Sequence, residues 1–207
     1  MVAPPEVSQG MDELHVDGRS LASGMFVNED FKIDAYEVAN VSRGAKHTTS
    51  FSVLGAAKSD AESGYSFDFK SAGQVAHGEC LVEIGQKGLG LNGITLSKQV
   101  AKIGCACGTG AAPVASLVMS AETGGNGYGG VLKARAGTYQ VKAIYEREGS
   151  ISDGNPAGYR VDGPNLVAAV DVLGGGRVWV RKEVAKEPRS DLACIMAGLL
   201  LYKPPKD

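Results

Sequence analysis

This chain is short of most residues that announce a chemistry. It carries only three histidines and four cysteines in 207 residues. His15, His47 and His77 are scattered, and His15 and His47 lie in polar segments. No Gly-x-Ser-x-Gly motif is present, and no histidine sits beside an evident Ser or Cys partner, so nucleophilic catalysis finds no support. There is no excess of one charge: 21 Lys and Arg stand against 23 Asp and Glu, a formal net charge of −2. That balance argues against nucleic acid as a partner, which would show as a basic patch or stripe. No apolar run approaches the roughly 18 to 20 residues of a membrane-spanning helix. The first residues, MVAPPEVSQGMDELHVDG, lack a basic stretch followed by an apolar one, so they do not read as a signal peptide. A cytosolic protein has this character, and so does an exported one whose signal is removed. Four cysteines are also too sparse for a disulfide-dependent mini-fold, although one or two bridges in an oxidising compartment remain open.

What the chain has is glycine. Twenty-nine glycines accompany only eight prolines, roughly double the usual glycine share of about 7%. They separate short apolar runs, which favours many short strands over long helices. Hydrophobic residues make up 43% and charged residues 21%, a globular balance.

Alternation of apolar and polar residues then marks eleven candidate strands: 31–38, 49–55, 65–70, 79–84, 99–107, 115–120, 130–136, 138–148, 158–161, 165–173 and 177–184. The clearest is YSFDFK (65–70), with Tyr65, Phe67 and Phe69 on one face. Turn signals recur every ten residues or so, the spacing of a sandwich or barrel. Gly174 to Gly176 predict a hairpin between the last two strands. Residues 1–20 read as a flexible lead-in, and 21–207 as one β-rich domain with no linker dividing it.

The end of the chain differs. Leu192 to Tyr202 carries no charged side chain, Ser190 or Asp191 can cap a helix there, and Pro204 and Pro205 can stop it. The helix is apolar all round, with Leu192, Ile195, Met196, Leu199 and Leu200 as its core residues, so it must be covered on every side. One way to cover a helix in a strand-rich chain is to close the sheet around it. The expected fold is mainly β: an antiparallel barrel or sandwich of about eleven to twelve strands with one buried hydrophobic C-terminal helix.

The order of a last strand, a charged link, an apolar helix and the chain end in RVWVRKEVAKEPRSDLACIMAGLLLY (177–202) resembles the tubby C-terminal fold. Phospholipid scramblases and the plant LURP-one-related proteins share that arrangement. The resemblance is reinforced by GVLKARAGTYQVKAIYE, AGYRVDG and NLVAAVDVL upstream, and covers roughly the last 75 residues. It implies a barrel closed around the helix and a lean towards lipid headgroups and membrane surfaces; it carries over no site residues. An unrelated sandwich with the helix packed on one sheet is the alternative.

Two constellations bear on chemistry. HGEC (77–80) followed by CAC (105–107) partly matches the H-x-E and P-C-x-x-C of zinc deaminases, with Glu79 as acid/base. The cysteines are one residue too close, no proline precedes them, and both segments read as strands. A zinc site of His77, Cys80, Cys105 and Cys107 is a conceivable variant. The structural reading places Cys105 and Cys107 on one strand face, where either could bridge to Cys80, with Cys194 a small buried hydrophobe. GLGLNG (88–93) lacks the following helix of a dinucleotide site and reads as a glycine turn. Asn40-Val41-Ser42 matches a glycosylation acceptor, a triplet that arises often by chance. Arg177, Arg181, Lys182, Lys186 and Arg189 make the C-terminal hairpin locally basic, although Glu183 and Glu187 interleave. They are either a solvated face or an anionic-lipid patch.

The sequence therefore predicts a non-enzymatic β-domain, needing no cofactor, that binds a partner or a membrane-associated ligand. Export to the periplasm or cell envelope is slightly favoured over the cytoplasm. A zinc hydrolase or deaminase and a structural envelope lipoprotein are the alternatives.

Overall fold

A computed structural model describes residues 1–20, 28–44, 63–91, 94–110, 112–121, 127–149 and 154–203. Its strands are β1 (Met11–Asp17), β2 (Phe31–Ile33), β3 (Tyr36–Gly44), β4 (Ser63–Ser71), β5 (Gln74–Leu91), β6 (Ile94–Gly108), β7 (Ala115–Ala121), β8 (Tyr128–Ala134), β9 (Gly137–Ile144), β10 (Gly158–Asp162), β11 (Leu166–Asp171) and β12 (Arg177–Arg181). One helix, α1 (Lys186–Leu201), follows. Each strand pairs antiparallel with the next, and β12 returns to pair with β1, from Met11 opposite Arg181 to His15 opposite Arg177. The sheet is a closed twelve-stranded barrel. Closure satisfies the backbone groups that an edge strand would leave unpaired.

The period-two pattern fills the lumen. Phe67 and Phe69, Ile103 and Cys105, Leu117 and Met119, and Val178 and Val180 all point inward and are buried. They meet α1, in which every residue from Asp191 to Leu201 is buried. The helix lies against β5, β6, β7, β8, β11 and β12. Leu192, Ile195, Met196, Leu199 and Leu200 each expose 1% or less, so the terminal run is the core of the barrel.

Four boundaries differ from the sequence expectation. Residues 31–38 are two strands rather than one, because Asp34 takes a positive φ of 52° and reverses the chain where the alternation changed phase. Residues 1–20, expected as a loose lead-in, supply a short 3₁₀ turn (Pro5–Ser8) and the closing strand β1. GLGL (88–91) continues β5 as strand, with Leu91 opposite Ile94. The helix begins five residues before Asp191: Pro188 lies within its first turn, where proline's missing N–H would have had no partner anyway. The candidate strand 49–55 lies outside the described residues, as do Asn92, Gly93, Pro204 and Pro205.

A second, smaller apolar cluster lies outside the barrel wall. Trp179, Ala169, Leu166, Ile144 and Ala157 are covered by Met1, Met11 and Val7. The first residues are fastened there: the Met1 α-amino group pairs with Asp171 at 3.1 Å, and the Val2 N–H donates to the Glu146 carbonyl.

Candidate functional site

With the lumen filled by side chains, a ligand must be met at a mouth of the barrel or on its outer wall. The mouth at the start of α1 is concave. The β4–β5 turn, the end of β6, the β8–β9 turn and the first turns of the helix enclose a pocket of about 300 Å³, at the lower end of the usual range for ligand sites. Its walls mix charges: Arg135 and Lys186 stand with Glu187 and Asp191, beside the hydroxyls of Ser71, Thr109 and Ser190.

Arg135 and Asp191 organise this mouth. Asp191 is buried, and the Arg135 guanidinium grips it with two hydrogen bonds, Nε to Oδ2 at 2.9 Å and Nη2 to Oδ1 at 2.7 Å. This bidentate pair offsets the cost of burying the carboxylate, and the same pairing raises the guanidinium's already high pKa. Asp191 is thus no helix cap, as the sequence suggested, but a link from the helix to the β8–β9 turn. The residue at the N-cap is Ala185, which has no side chain able to cap. Lys186 has no ion-pair partner among the described residues and is exposed at the rim.

The opposite mouth is closed by cations on the last helical carbonyls. Arg19 donates to the Leu200 carbonyl and to those of Val172 and Gly174. Arg43 donates to the Leu201 carbonyl at 2.7 Å, and the buried Tyr65 hydroxyl donates to that of Gly198 at 2.7 Å. Arg43 also pairs with Glu29, which Lys203 reaches from the other side. The two arginines satisfy carbonyls that the end of a helix leaves without partners, and Tyr65 adds a second donor to the Gly198 carbonyl, which already accepts the Tyr202 N–H.

All four cysteines are bridged. Cys80 and Cys105, opposite each other in register, form one disulfide with Cα atoms 4.1 Å apart. Cys107 and Cys194 form the other, with Cα atoms 6.4 Å apart. Cys80 thus bridges to one of its two expected partners, whereas Cys194 is more than a buried hydrophobe: it ties the helix to the wall. Helical periodicity concealed that role, because an apolar helix offers no cue to which strand its one cysteine faces.

His77 is not brought to the sulfurs. Alternation along β5 turns Cys80 into the lumen and His77 out, where its Nδ1 lies 3.5 Å from Asp68 Oδ1. Glu79 shares the outward phase, opposite Ser66. The wall of the barrel therefore separates His77 and Glu79 from Cys80, Cys105 and Cys107. Among the described residues no three His, Cys, Asp or Glu side chains group as metal ligands.

The five basic candidates also disperse. Arg177 pairs with Asp171 and lies over the Trp179 ring at 5.1 Å. Arg181 donates to the Leu166 carbonyl, and Arg189 pairs with Asp12 while donating to the carbonyls of Arg181 and Lys182. Lys182 and Lys186 remain exposed. Sequence reasoning missed Arg135, Arg19 and Arg43, whose partners lie 56, 181 and 158 residues away. No local pattern marks contacts of that range.

No helix among the described residues is long and apolar enough to cross a membrane. A scan against family models finds no match to this chain, and searches of curated proteins and of solved structures find none either.

Proposed function

We propose that the protein is a non-enzymatic, exported binding domain that takes a lipid headgroup into the mouth of its barrel at the start of α1. The observation that carries this reading is the charge-mixed pocket of about 300 Å³ set over a filled lumen. A pocket of that size accepts a headgroup, while the packed helix behind it leaves no room for an acyl chain. Lys186, beside Arg135, suits a phosphate; Glu187, exposed at the rim, suits an amine next to it. The resemblance of residues 177–202 to the tubby C-terminal fold leans the same way. Export is supported by the pairing of all four cysteines, which suits an oxidising compartment. A binding role is favoured over hydrolysis because His77 and Glu79 take the opposite strand phase to Cys80, and the sulfurs that would complete a zinc site are held in disulfides.

Co-sedimentation with vesicles of phosphatidylglycerol, phosphatidylethanolamine and phosphatidylcholine at low salt tests the reading. Retention is expected on the first two, weakened by salt and by Lys186→Glu. Failure to sediment with any vesicle at low salt would remove the lipid reading, and stoichiometric zinc in the purified protein would reinstate the hydrolase.

A further inference from the structure

The two disulfides differ in where they lie. Cys80–Cys105 joins neighbouring strands deep in the lumen against the helix, at Gly198. Neither of its cysteines lines the mouth pocket. Cys107 and Cys194 both do. Their bridge forms part of the pocket's inner wall, beneath Arg135 and the first turns of α1. Cys107 and Cys194 expose only 1% and 2%, so a molecule in the pocket reaches their bridge only at the pocket floor, and Cys80–Cys105, which lines no part of it, not at all.

The bridge is also not what holds the fold together at that end. Asp191 remains gripped by Arg135, and Arg189 by Asp12 at 2.9 Å, whatever the state of the sulfurs. The far end of the helix stays tied through Arg19, Arg43 and Tyr65. Opening Cys107–Cys194 removes the covalent link between helix and wall and leaves both ends of the helix anchored.

We propose that Cys107–Cys194 is a redox-active disulfide, opened by a dithiol reductant through the barrel mouth while Cys80–Cys105 stays closed. One thiolate of the reductant attacks a sulfur of the bridge, giving a mixed disulfide and releasing the other cysteine as a thiolate that takes a proton from water. The second thiol of the reductant, giving up its proton, then displaces the first cysteine. The reductant leaves as a disulfide and the protein holds two thiols, a two-electron reduction. The consequence is local: the inner wall of the pocket changes from a bridge to two thiols, and α1 loses its covalent tie to the wall. This inference does not depend on the lipid reading, since it concerns access to the pocket and not its ligand.

The test is reduction of the folded full chain by graded dithiothreitol, alkylation of the released thiols, and peptide mass mapping, with circular dichroism recorded alongside. Cys107 and Cys194 are expected to be alkylated about tenfold faster than Cys80 and Cys105, since access limits exchange, with the spectrum still native. Thr109→Trp, which narrows the mouth at an exposed rim position, is expected to slow that reaction and leave the other bridge unaffected. The proposal is overturned if both bridges open together only on unfolding, or if Cys80–Cys105 opens first. Unchanged kinetics in folded Thr109→Trp would overturn the route through the mouth. Loss of vesicle binding with this selectivity intact would remove the lipid reading alone.

Discussion

The Arg19 guanidinium donates twice to the carbonyl oxygen of Leu200, from Nε at 3.0 Å and from Nη2 at 2.7 Å, across 181 residues of chain. One side chain from the start of the barrel thereby closes the end of the helix that fills it. Charge-assisted bonds to an otherwise unpartnered carbonyl are worth more than a typical neutral bond. Arg19→Met should cost about 2 to 3 kcal/mol, seen as a lower urea midpoint. An unchanged midpoint would mean water replaces the guanidinium at no cost.

Gly198 gives the opposite result to helix propensity. Alanine is favoured over glycine inside a helix by about 1 kcal/mol. A Cβ at this position, however, would lie 2.9 Å from Cys80 Sγ and 3.2 Å from Cys105 Sγ, sulfurs fixed by their own bridge. Gly198→Ala should therefore destabilise, by about 1 to 3 kcal/mol. Thermal denaturation decides the sign, and a raised midpoint would show that the helix can shift away from the disulfide.

Ala197 is fully buried in the same helix. Ala197→Asp places an uncompensated charge in the lumen, at a cost of about 3 to 5 kcal/mol. Soluble protein of unaltered melting temperature carrying that substitution would contradict the helix as the barrel's core.

Acid sensitivity follows from Glu29. Burial alone would raise its carboxyl, but the hydrogen bonds from Lys203 and Arg43 outweigh that and hold it below its ordinary value of 4.5. A carboxyl depressed in the folded state stabilises fully above that ordinary value, and the contribution is lost as pH falls through the folded one. Wild type should therefore lose, below about pH 4.5, the stability advantage it holds over Glu29→Gln near neutrality. Urea midpoints measured from pH 7 to pH 3 would show the two curves converging; curves that stay parallel would exclude this carboxylate as the cause.

Tyrosines set the alkaline limit. Burial raises the hydroxyls of Tyr65, Tyr159 and Tyr202 above their ordinary value of 10. An acid whose pKa is raised on folding stabilises fully below the unfolded value and ceases to do so as pH climbs through the folded one. Absorbance of tyrosinate near 295 nm should accordingly appear in part at pH 10 and otherwise in step with unfolding. Titration of all seven tyrosines in one step near pH 10, with the fold intact, would show that these rings reach water.

Much of the architecture was legible because burial leaves a period. The alternation of Tyr65, Phe67 and Phe69 marked β4, and the all-round apolarity of residues 192–202 required a covering on every side, which the closed barrel supplies. The strand β1 was hidden because its apolar positions, Met11, Leu14 and Val16, are spaced by carboxylates and a histidine and follow a proline pair. Glu13, whose carboxylate would be expected to face only water, accepts from the Trp179 indole N–H at 3.2 Å. Such a strand is recognised only once its partner β12 is in place.

The sequence by itself determined the class of fold and the fate of the last helix, since both follow from periodicity and from the cost of wetting apolar surface. It also determined that Cys105 and Cys107 face one way, because strand neighbours two apart share a face. Only the tertiary structure decided that Cys194 bridges Cys107, that Arg135 grips Asp191, and that two arginines close the helix. Those pairings join residues 56 to 181 positions apart. Their geometry is set by barrel register and closure, which no stretch of chain carries locally.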